Sequence, residues 1–312
     1  MAKSLSIVIP VHNEERNIVP VFEAVREVCA KLPYAWHVLF VDDGSRDGSL
    51  QAIRGLAERE PAVKFLELSR NFGKEVATSA GLAHAEADGV VLMDADLQHP
   101  PALIETFVQH WEEGADVVIG VRVQNQGEGL VKRIGSRVFY RIMDAISDTE
   151  LQSGETDFRL IDRRVVEVFN GLKERNRMTR ALLNWLGFRR VNVLFTANAR
   201  QHGVAAYSPI KLARLAVHAF VANSLFPLKI AGYLGVFIMI TAGAATLFIA
   251  YNKYLTNDPF GFNFSGLALL AFFNLFFVGI ILACLGLVAL YVGNIHAEVA
   301  GRPVFVIRSK RV

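Results

Sequence analysis

Two cysteines in 312 residues, Cys29 and Cys284, are too few and too far apart along the chain for a disulfide framework or a zinc cluster. Charge is scarce as well. Asp, Glu, Lys and Arg make up 20% of the chain, against about a quarter in an ordinary soluble domain. The 33 basic and 30 acidic residues leave a net charge of +3, too balanced to mark a nucleic-acid binder. The opening MAKSLSIVIP lacks an apolar stretch ahead of a small-residue cleavage site, so no signal peptide is expected. Common nucleotide and hydrolase fingerprints are missing too. No Gly-x-Gly-x-x-Gly follows the first expected strand, and there is no Gly-x-x-x-x-Gly-Lys-Ser/Thr and no Gly-x-Ser-x-Gly. A dinucleotide-type Rossmann site, a P-loop ATPase and an α/β-hydrolase elbow are thereby disfavoured.

What the chain has in excess is apolar residues, 52% of the total with a mean hydropathy of +0.32, and they are unevenly placed. Ile230–Tyr251 is 22 residues without a formal charge, and Pro259–Ile295 is another 37. About 20 apolar residues suffice for a helix to cross a bilayer. Two membrane spans are therefore expected, at about 228–251 and 266–293, with a short non-cytoplasmic loop between them. Arg189, Arg190, Arg200, Lys211, Arg214 and Lys229 precede the spans, and Arg302, Arg308, Lys310 and Arg311 follow them. Residues 252–264 carry only Lys253 and Asp258. The positive-inside rule then places both termini in the cytoplasm. The expected organisation is a water-soluble domain over 1–206, an amphipathic juxtamembrane segment over 207–227, the two spans within 228–295, and a basic tail over 296–312. In Ser208–Ser224, Lys211, Arg214 and His218 share one helical face, which suits the membrane interface and also suits packing on the soluble domain.

Within the soluble part, short apolar runs alternate with helical patterns. The runs are Leu5–Ile9, His37–Val41, Val63–Leu68, Gly89–Met93 and Asp116–Gly120. Between them, Glu15–Lys31, Asp47–Arg59, Lys74–Ala85 and Pro101–Glu113 have helix-like apolar spacing. Such alternation implies βαβ units and a mostly parallel sheet covered on both faces. Beyond it, Gln124–Gly129 reads as a loop, Leu130–Ile146 as a basic helix, and Phe158–Val168 as a strand running into a helix.

Open sheets of this kind bind ligands beyond the carboxyl ends of their strands. There the sequence places PVHNEE (Pro10–Glu15), VDDGS (Val41–Ser45), SRNFGK (Ser69–Lys74) and DADLQ (Asp94–Gln98). A lone Asp-Gly-Ser is usually a turn, and a lone Asp-x-Asp is common by chance. Four polar clusters at four successive strand ends are harder to dismiss. Where a strand breaks into a turn, Asp94 and Asp96 can aim at one cation, with Gln98 adding an amide oxygen. Hard divalent cations take such oxygen ligands together with phosphate. Asp42 is placed to accept hydrogen bonds from a nucleobase or ribose, and Arg70 and Lys74 to balance phosphate charge. For Lys74, an ordinary solvated position in the first helical turn is an equal alternative.

Together with GVR (Gly120–Arg122) and DFRLIDRRVV (Asp157–Val166), these runs resemble the family 2 glycosyltransferases of GT-A fold. More narrowly, the chain is similar to the polyprenyl-phosphate glycosyltransferases, the dolichyl-phosphate mannose synthases and bacterial GtrB-type enzymes. The likeness runs over residues 5–235, and the two C-terminal spans are GtrB-like. The resemblance implies a Rossmann-like catalytic domain, an interfacial helix and two transmembrane helices in the inner membrane. It implies that Pro10, Val11, Asn13, Glu14, Asp42, Asp43, Arg70, Lys74, Asp94, Ala95, Asp96 and Arg200 bind the nucleotide sugar. Asp94, Asp96 and Gln98 would hold Mg²⁺ or Mn²⁺. Arg122, Lys132 and Ser136 would grip the acceptor lipid phosphate. Asp157 matches the carboxylate usually assigned as catalytic base, and Asp96 counts with it as catalytic.

A phosphate monoester with a second pKa of about 6 is already mostly dianionic at neutral pH. It needs little deprotonation, so Asp157 is expected to orient the sugar or Arg159, or to take a residual proton. The implied reaction is one in-line, inverting displacement by the lipid phosphate on the anomeric carbon. The expected donor is UDP-glucose, with GDP-mannose and other UDP-sugars as alternatives. The acceptor is undecaprenyl or dolichyl phosphate, and the assembly a homotetramer. A processive polysaccharide synthase is disfavoured, because the only Gln-x-x-Arg, Gln51–Arg54, precedes Gly55 and lies early. An inactive membrane-tethered scaffold is disfavoured by the intact Asp94, Asp96 and Asp157. The chain departs from the family pattern at Ala205-Ala206, where Ser-Lys is expected, at Thr156 for glycine, and at His12 for an aromatic residue.

Overall fold

The computed structural model describes residues 3–123, 154–174, 177–196 and 266–312, with Phe237 and Tyr251. The loop at 124–129, the basic helix at 130–146, the amphipathic segment and the first expected span lie outside the described residues, as do Lys132, Ser136, Arg200 and Ala205-Ala206. Two compact units result, Met1–Ala206 with Arg302–Val312, and Tyr207–Gly301.

The first unit is built on one eight-stranded sheet. Its strands are β1 (Ser4–Val11), β2 (Ala35–Asp42), β3 (Val63–Leu68), β4 (Gly89–Leu92), β5 (Val117–Arg122), β6 (Glu155–Asp162), β7 (Arg190–Phe195) and β8 (Ile307–Arg311). Their spatial order is β7-β5-β6-β4-β1-β2-β3-β8. Six strands run the same way, while β6 opposes β4 and β5, and β8 opposes β3. The helices are α1 (Ile18–Cys29), α2 (Ser49–Arg59), α3 (Lys74–His84), α4 (Leu103–Glu112), α5 (Arg163–Gly171) and α6 (Thr179–Trp185). A 3-10 turn, Glu15–Asn17, precedes α1. Pro20 falls in the first turn of α1, where its missing N–H has no partner to lose.

Alternation along the strands fills both faces of the sheet. On β1, Leu5, Ile7, Ile9 and Val11 join Phe22, Ile53, Phe107 and Trp111 in one core, while Val8 joins Ala77, Ala80, Val165 and Phe169 in the other. On β2, Val38 and Phe40 face the first core and Leu39 and Val41 the second. This is the near-continuous apolar signature of strands buried on both sides. Ile104, Phe107, Val108 and Trp111 recur on α4 at helical spacing and are buried. Asp162 ends β6 and caps α5 by accepting from Arg164 N at 3.0 Å.

Part of the expected basic tail is a strand. Residues 307–311 add to the sheet edge, with Glu67 opposite Ser309 and Leu66 opposite Lys310. A buried carboxylate lies at this edge. Glu67 accepts from Arg54 Nη2 at 2.8 Å, Arg308 Nη1 at 3.2 Å and Ser309 Oγ at 2.5 Å. A buried anion needs such partners, and two of them come from β8. Phe305 and Ile307 pack against the adjoining core.

In the second unit, α7 (Gly266–Val299) is a 34-residue helix covering the second expected span, with side chains described at only part of its positions. Among the described residues no helix is long and apolar enough to cross a membrane.

Gly81 marks the closest approach of α3 to the sheet. A methyl group there would lie 2.3 Å from Val8 Cγ1 and 3.2 Å from Val41 Cγ2. Alanine gains about 1 kcal/mol of helix propensity over glycine, but overpacking costs about 1–3 kcal/mol. Gly81→Ala is expected to lower the urea midpoint of the purified chain. A raised midpoint would show that the contact has room.

Candidate active site

Four loops leave the carboxyl ends of β1 to β4, and hydrogen bonds gather the first three. His12 Nδ1 donates to Asp43 O at 2.9 Å, and Asn71 Nδ2 donates to His12 Nε2 at 3.0 Å. Asn13 N donates to Ser45 Oγ at 3.0 Å, and Asn13 Oδ1 accepts from Arg46 N at 2.8 Å. Glu14 N donates to Ser49 Oγ, and its carboxylate accepts from Asn17 Nδ2. Pro10 and Val11 end β1 beside Val41 and Asp42. Gly44 has φ +62°, and a Cβ there would lie 2.5 Å from the carbonyl carbon of Arg70. Glycine alone lets these two loops touch.

The adjacent aspartates Asp42 and Asp43 part company. Asp42 is 1% exposed. Burial pushes its carboxyl above the ordinary range, against the hydrogen bonds from Ser45. Its Oδ1 has no partner among the described residues, which leaves an acceptor for a ligand. Asp43, expected to bind the nucleotide, is turned inward. Its two oxygens accept from Phe72 N at 2.7 Å and Gly73 N at 2.9 Å, stapling the loop after β3. Arg70 lies over the Phe72 ring at 4.2 Å.

The loop after β4 carries Asp94, Ala95, Asp96 and Gln98. Asp94 N donates to His99 Nδ1 at 3.2 Å, and Asp96 Oδ1 accepts from Gln98 N at 3.2 Å. Between them Leu97 adopts φ +59°, an uncommon conformation for a bulky residue. His99 is buried and stacked on Phe158 at 5.1 Å. Burial lowers its pKa despite Asp94 and its other acidic neighbours, so the ring is neutral and accepts from Asp94 N. His99 is a residue the sequence did not single out.

β6 brings the remaining groups. Because it runs against β4, Leu92 pairs with Arg159, and the same register carried two residues on sets Asp94 opposite Asp157. Lys74 Nζ, at the start of α3, bridges them at 2.6 Å from Asp94 Oδ1 and 2.8 Å from Asp157 Oδ2. Lys74 is thus no ordinary solvated residue. Burial opposes its charge, but Asp94 and Asp157 outweigh it and hold its pKa above the usual lysine range. The other oxygen of Asp157 accepts from Arg180 Nε at 2.5 Å. Burial alone would raise the Asp157 pKa. The Arg180 hydrogen bond and the Lys74 charge instead drive it far below the carboxylate range. Arg159 is fully buried, donates from Nη2 to Thr156 O at 2.8 Å, and is pushed down to about 10 by burial. Arg122 is exposed at the end of β5.

No group of three or more His, Cys, Asp or Glu gathers as a metal site among the described residues. Asp94, Asp96 and Gln98 nevertheless offer the oxygen donors that a hard divalent cation takes. The Lys74 ammonium on Asp94 marks that carboxylate as a seat for positive charge.

Residues 6–169 match the model of glycosyl transferase family 2. The chain is a family 2 glycosyltransferase. It is 35% identical over 306 residues to the bactoprenol glucosyl transferase of Shigella phage SfII, covering 97% of both chains. It is 34% identical over 303 residues to an uncharacterized glycosyltransferase of Bacillus subtilis, covering 97% of this chain and 93% of that one. Among solved structures, mannosyl-3-phosphoglycerate synthase from Rubrobacter xylanophilus aligns with TM-score 0.50 and 18% identity, over 74% of this chain and 75% of that one. The glycosyltransferase shares the α/β GT-A fold.

Asp157 stabilises the fold only while ionised in its two ion pairs. That contribution is full above its unfolded pKa of about 3.9 and is lost as pH falls toward the depressed folded value. Asp157→Asn is expected to lower Tm at pH 6–8, and the gap to the parent should narrow below about pH 4. A gap that stays constant from pH 7 to pH 3 would contradict the assignment.

Proposed function

We propose that this glycosyltransferase moves a sugar, glucose from UDP-glucose, onto polyprenyl phosphate at the cytoplasmic face of the bacterial inner membrane. One observation carries the lipid acceptor. The likeness to bactoprenol glucosyl transferase covers 97% of both chains, so it extends through the apolar C-terminal third as well as the catalytic unit.

Two membrane spans, 228–251 and 266–293, fit this reading. At 1.5 Å per residue α7 is about 50 Å long, so its length alone exceeds a hydrocarbon core of about 30 Å. Its described apolar side chains include exposed Leu270, Ile281, Leu285, Val292 and Ile295, which suits a lipid environment. The C-terminal strand bears on topology. β8 pairs with β3 inside the catalytic unit, which fits an even number of crossings by the chain between them. The domain limits at 206, 227 and 295, the interfacial helix and a homotetramer belong to the same proposal.

The reaction is a single displacement. A phosphate oxygen of the lipid attacks the anomeric carbon, the bond from that carbon to the diphosphate oxygen breaks, and the configuration inverts. Asp94, Asp96 and Gln98 would hold Mg²⁺ or Mn²⁺, which neutralises the diphosphate and improves it as a leaving group. Asp42 offers its free oxygen to the base or ribose, within the cradle of Pro10, Val11, Asn13 and Glu14. Arg122, with Lys132 and Ser136, binds the acceptor phosphate, and Arg200 the donor. Asp157 stays ionised between two cations and orients them. It takes no proton, because the acceptor arrives deprotonated.

The test is purified protein with undecaprenyl phosphate, Mg²⁺ or Mn²⁺ and a panel of nucleotide sugars, with the product identified by mass. Glucosyl transfer from UDP-glucose is expected, with inverted anomeric configuration. Asp94→Ala with Asp96→Ala should reduce the rate by at least about 100-fold, the scale for removing a preorganised electrostatic group. Undiminished glycolipid formation by that double variant would overturn the metal-site assignment.

A further inference from the structure

Arg180 belongs to none of the motifs that mark the site, yet it makes the shortest polar contact to Asp157 given by the structure. Its Nε lies 2.5 Å from Asp157 Oδ1, and its Nη1 donates to Glu155 O at 3.1 Å. One guanidinium thus grips β6 twice, at a side chain and at the backbone two residues away. The helix that carries it is tied to the other side of the site. Thr179 N, at the start of α6, donates to Glu75 Oε2 at 2.8 Å. Glu75 is the neighbour of Lys74 on α3, and Lys74 binds the other oxygen of Asp157. A closed ring results, running from Lys74 through Asp157 and Arg180 to Thr179, and through Glu75 back to Lys74.

The ring constrains more than stability. A carboxylate with one lysine partner can rotate about its χ2 bond, and a lysine has four rotatable bonds. Fixing Oδ1 with a planar guanidinium leaves only Oδ2 for Lys74. Fixing Asp157 in turn keeps the ammonium between Asp157 and Asp94, instead of letting it follow Asp94 alone. Fully buried Arg159 adds positive potential beside Asp157, and Arg180 is the cation that touches the carboxylate from that side.

We propose that Arg180 is a positioning residue of the transfer reaction: it locks Asp157 so that Lys74 is held between Asp94 and Asp157. The inference rests on the polyprenyl-phosphate reading above. Arg180 acts through Asp157 and Lys74 and touches neither substrate. Its loss therefore falls mainly on the rate of the chemical step, and the donor contacts proposed at Asp42 and the loop after β1 stay in place.

The experiment measures kcat and KM for UDP-glucose, with undecaprenyl phosphate as acceptor, in the full-length parent, Arg180→Met and Arg180→Lys, alongside Tm. Misplacing a reacting array by about 1 Å costs about 100-fold. Arg180→Met is expected to lose about 30- to 100-fold in kcat, with donor KM within about 3-fold of the parent. Arg180→Lys keeps a charge for Asp157 and loses the bond to Glu155 O. It should fold like the parent and recover most of the rate, ending within about 10-fold of it. Should Arg180→Met fail to fold, the lysine variant reads the same split, with a drop of about 3- to 10-fold in kcat alone. The proposal is overturned if Arg180→Met keeps kcat within about 2-fold, if the loss falls on donor KM, or if lysine restores Tm without restoring kcat. A parent that glycosylates no lipid phosphate with any donor overturns the proposed function, and the role of Arg180 with it. An active parent with an unaffected methionine variant overturns the role of Arg180 alone.

Discussion

One ammonium shared by two carboxylates joins the two sides of this active site. Asp94 follows β4 and Asp157 lies on β6, and without a cation between them their like charges would repel. Lys74 removes that conflict, at 2.6 Å from one and 2.8 Å from the other. Its placement follows from the fold. α3 starts directly at the end of the loop after β3, and Asp43 pins that loop by taking the amides of Phe72 and Gly73. The position of Lys74 is therefore set from the neighbouring strand, by the end of β2. Breaking one partner of such a group leaves the others uncompensated, so the aspartates, the lysine and Arg180 act as a unit.

The strand ends are rigid where the ligand would lie. Asn13 and Leu97 both hold positive φ, near 58° and 59°. Such backbone conformations persist only when the surroundings over-determine them. Asn13 is held by Ser45 and Arg46. Leu97 is held by its own burial in the core, and its neighbours are fixed by His99 and by the Asp96–Gln98 turn. The two strained positions flank the expected base pocket and the expected cation seat. That is the pattern of a site whose donors and acceptors are oriented before the ligand arrives.

Local pattern made the parallel strands and their helices legible in the sequence. Apolar runs found β1 to β5 within two residues at each end, and the polar clusters after β1 to β4 do meet at one edge. Three features were not legible, and each depends on long-range pairing. β6 read as a strand, but nothing local says that it inserts between β4 and β5 in the opposite direction, which is what brings Asp157 to Asp94. β8 read as a basic tail, because a five-residue segment rich in Arg and Lys has no apolar alternation. Its partner is the buried Glu67, far away in sequence. Arg180 sits on a seven-residue helix in no motif, and only the folded ring gives it a role. Asp43 shows a second role. Its motif suggested a ligand contact, and its carboxylate serves the backbone.

The charge balance of the site bears on the proposed substrates. The described array sets Asp94, Asp96 and Asp157 against Lys74, Arg159 and Arg180, three charges of each sign. A nucleoside diphosphate brings about two negative charges, and a lipid phosphate monoester nearly two more. Four added negative charges in a partly desolvated cleft cannot be met by a balanced array. A divalent cation on the Asp94 side meets half of the deficit. The rest requires cations beyond that array, and Arg122, with Lys132 and Arg200 in sequence, is where the chain can supply them. Asp157, already saturated by Lys74 and Arg180, needs no share of the incoming charge. With the proposed dianionic nucleophile it can stay an anion throughout the reaction.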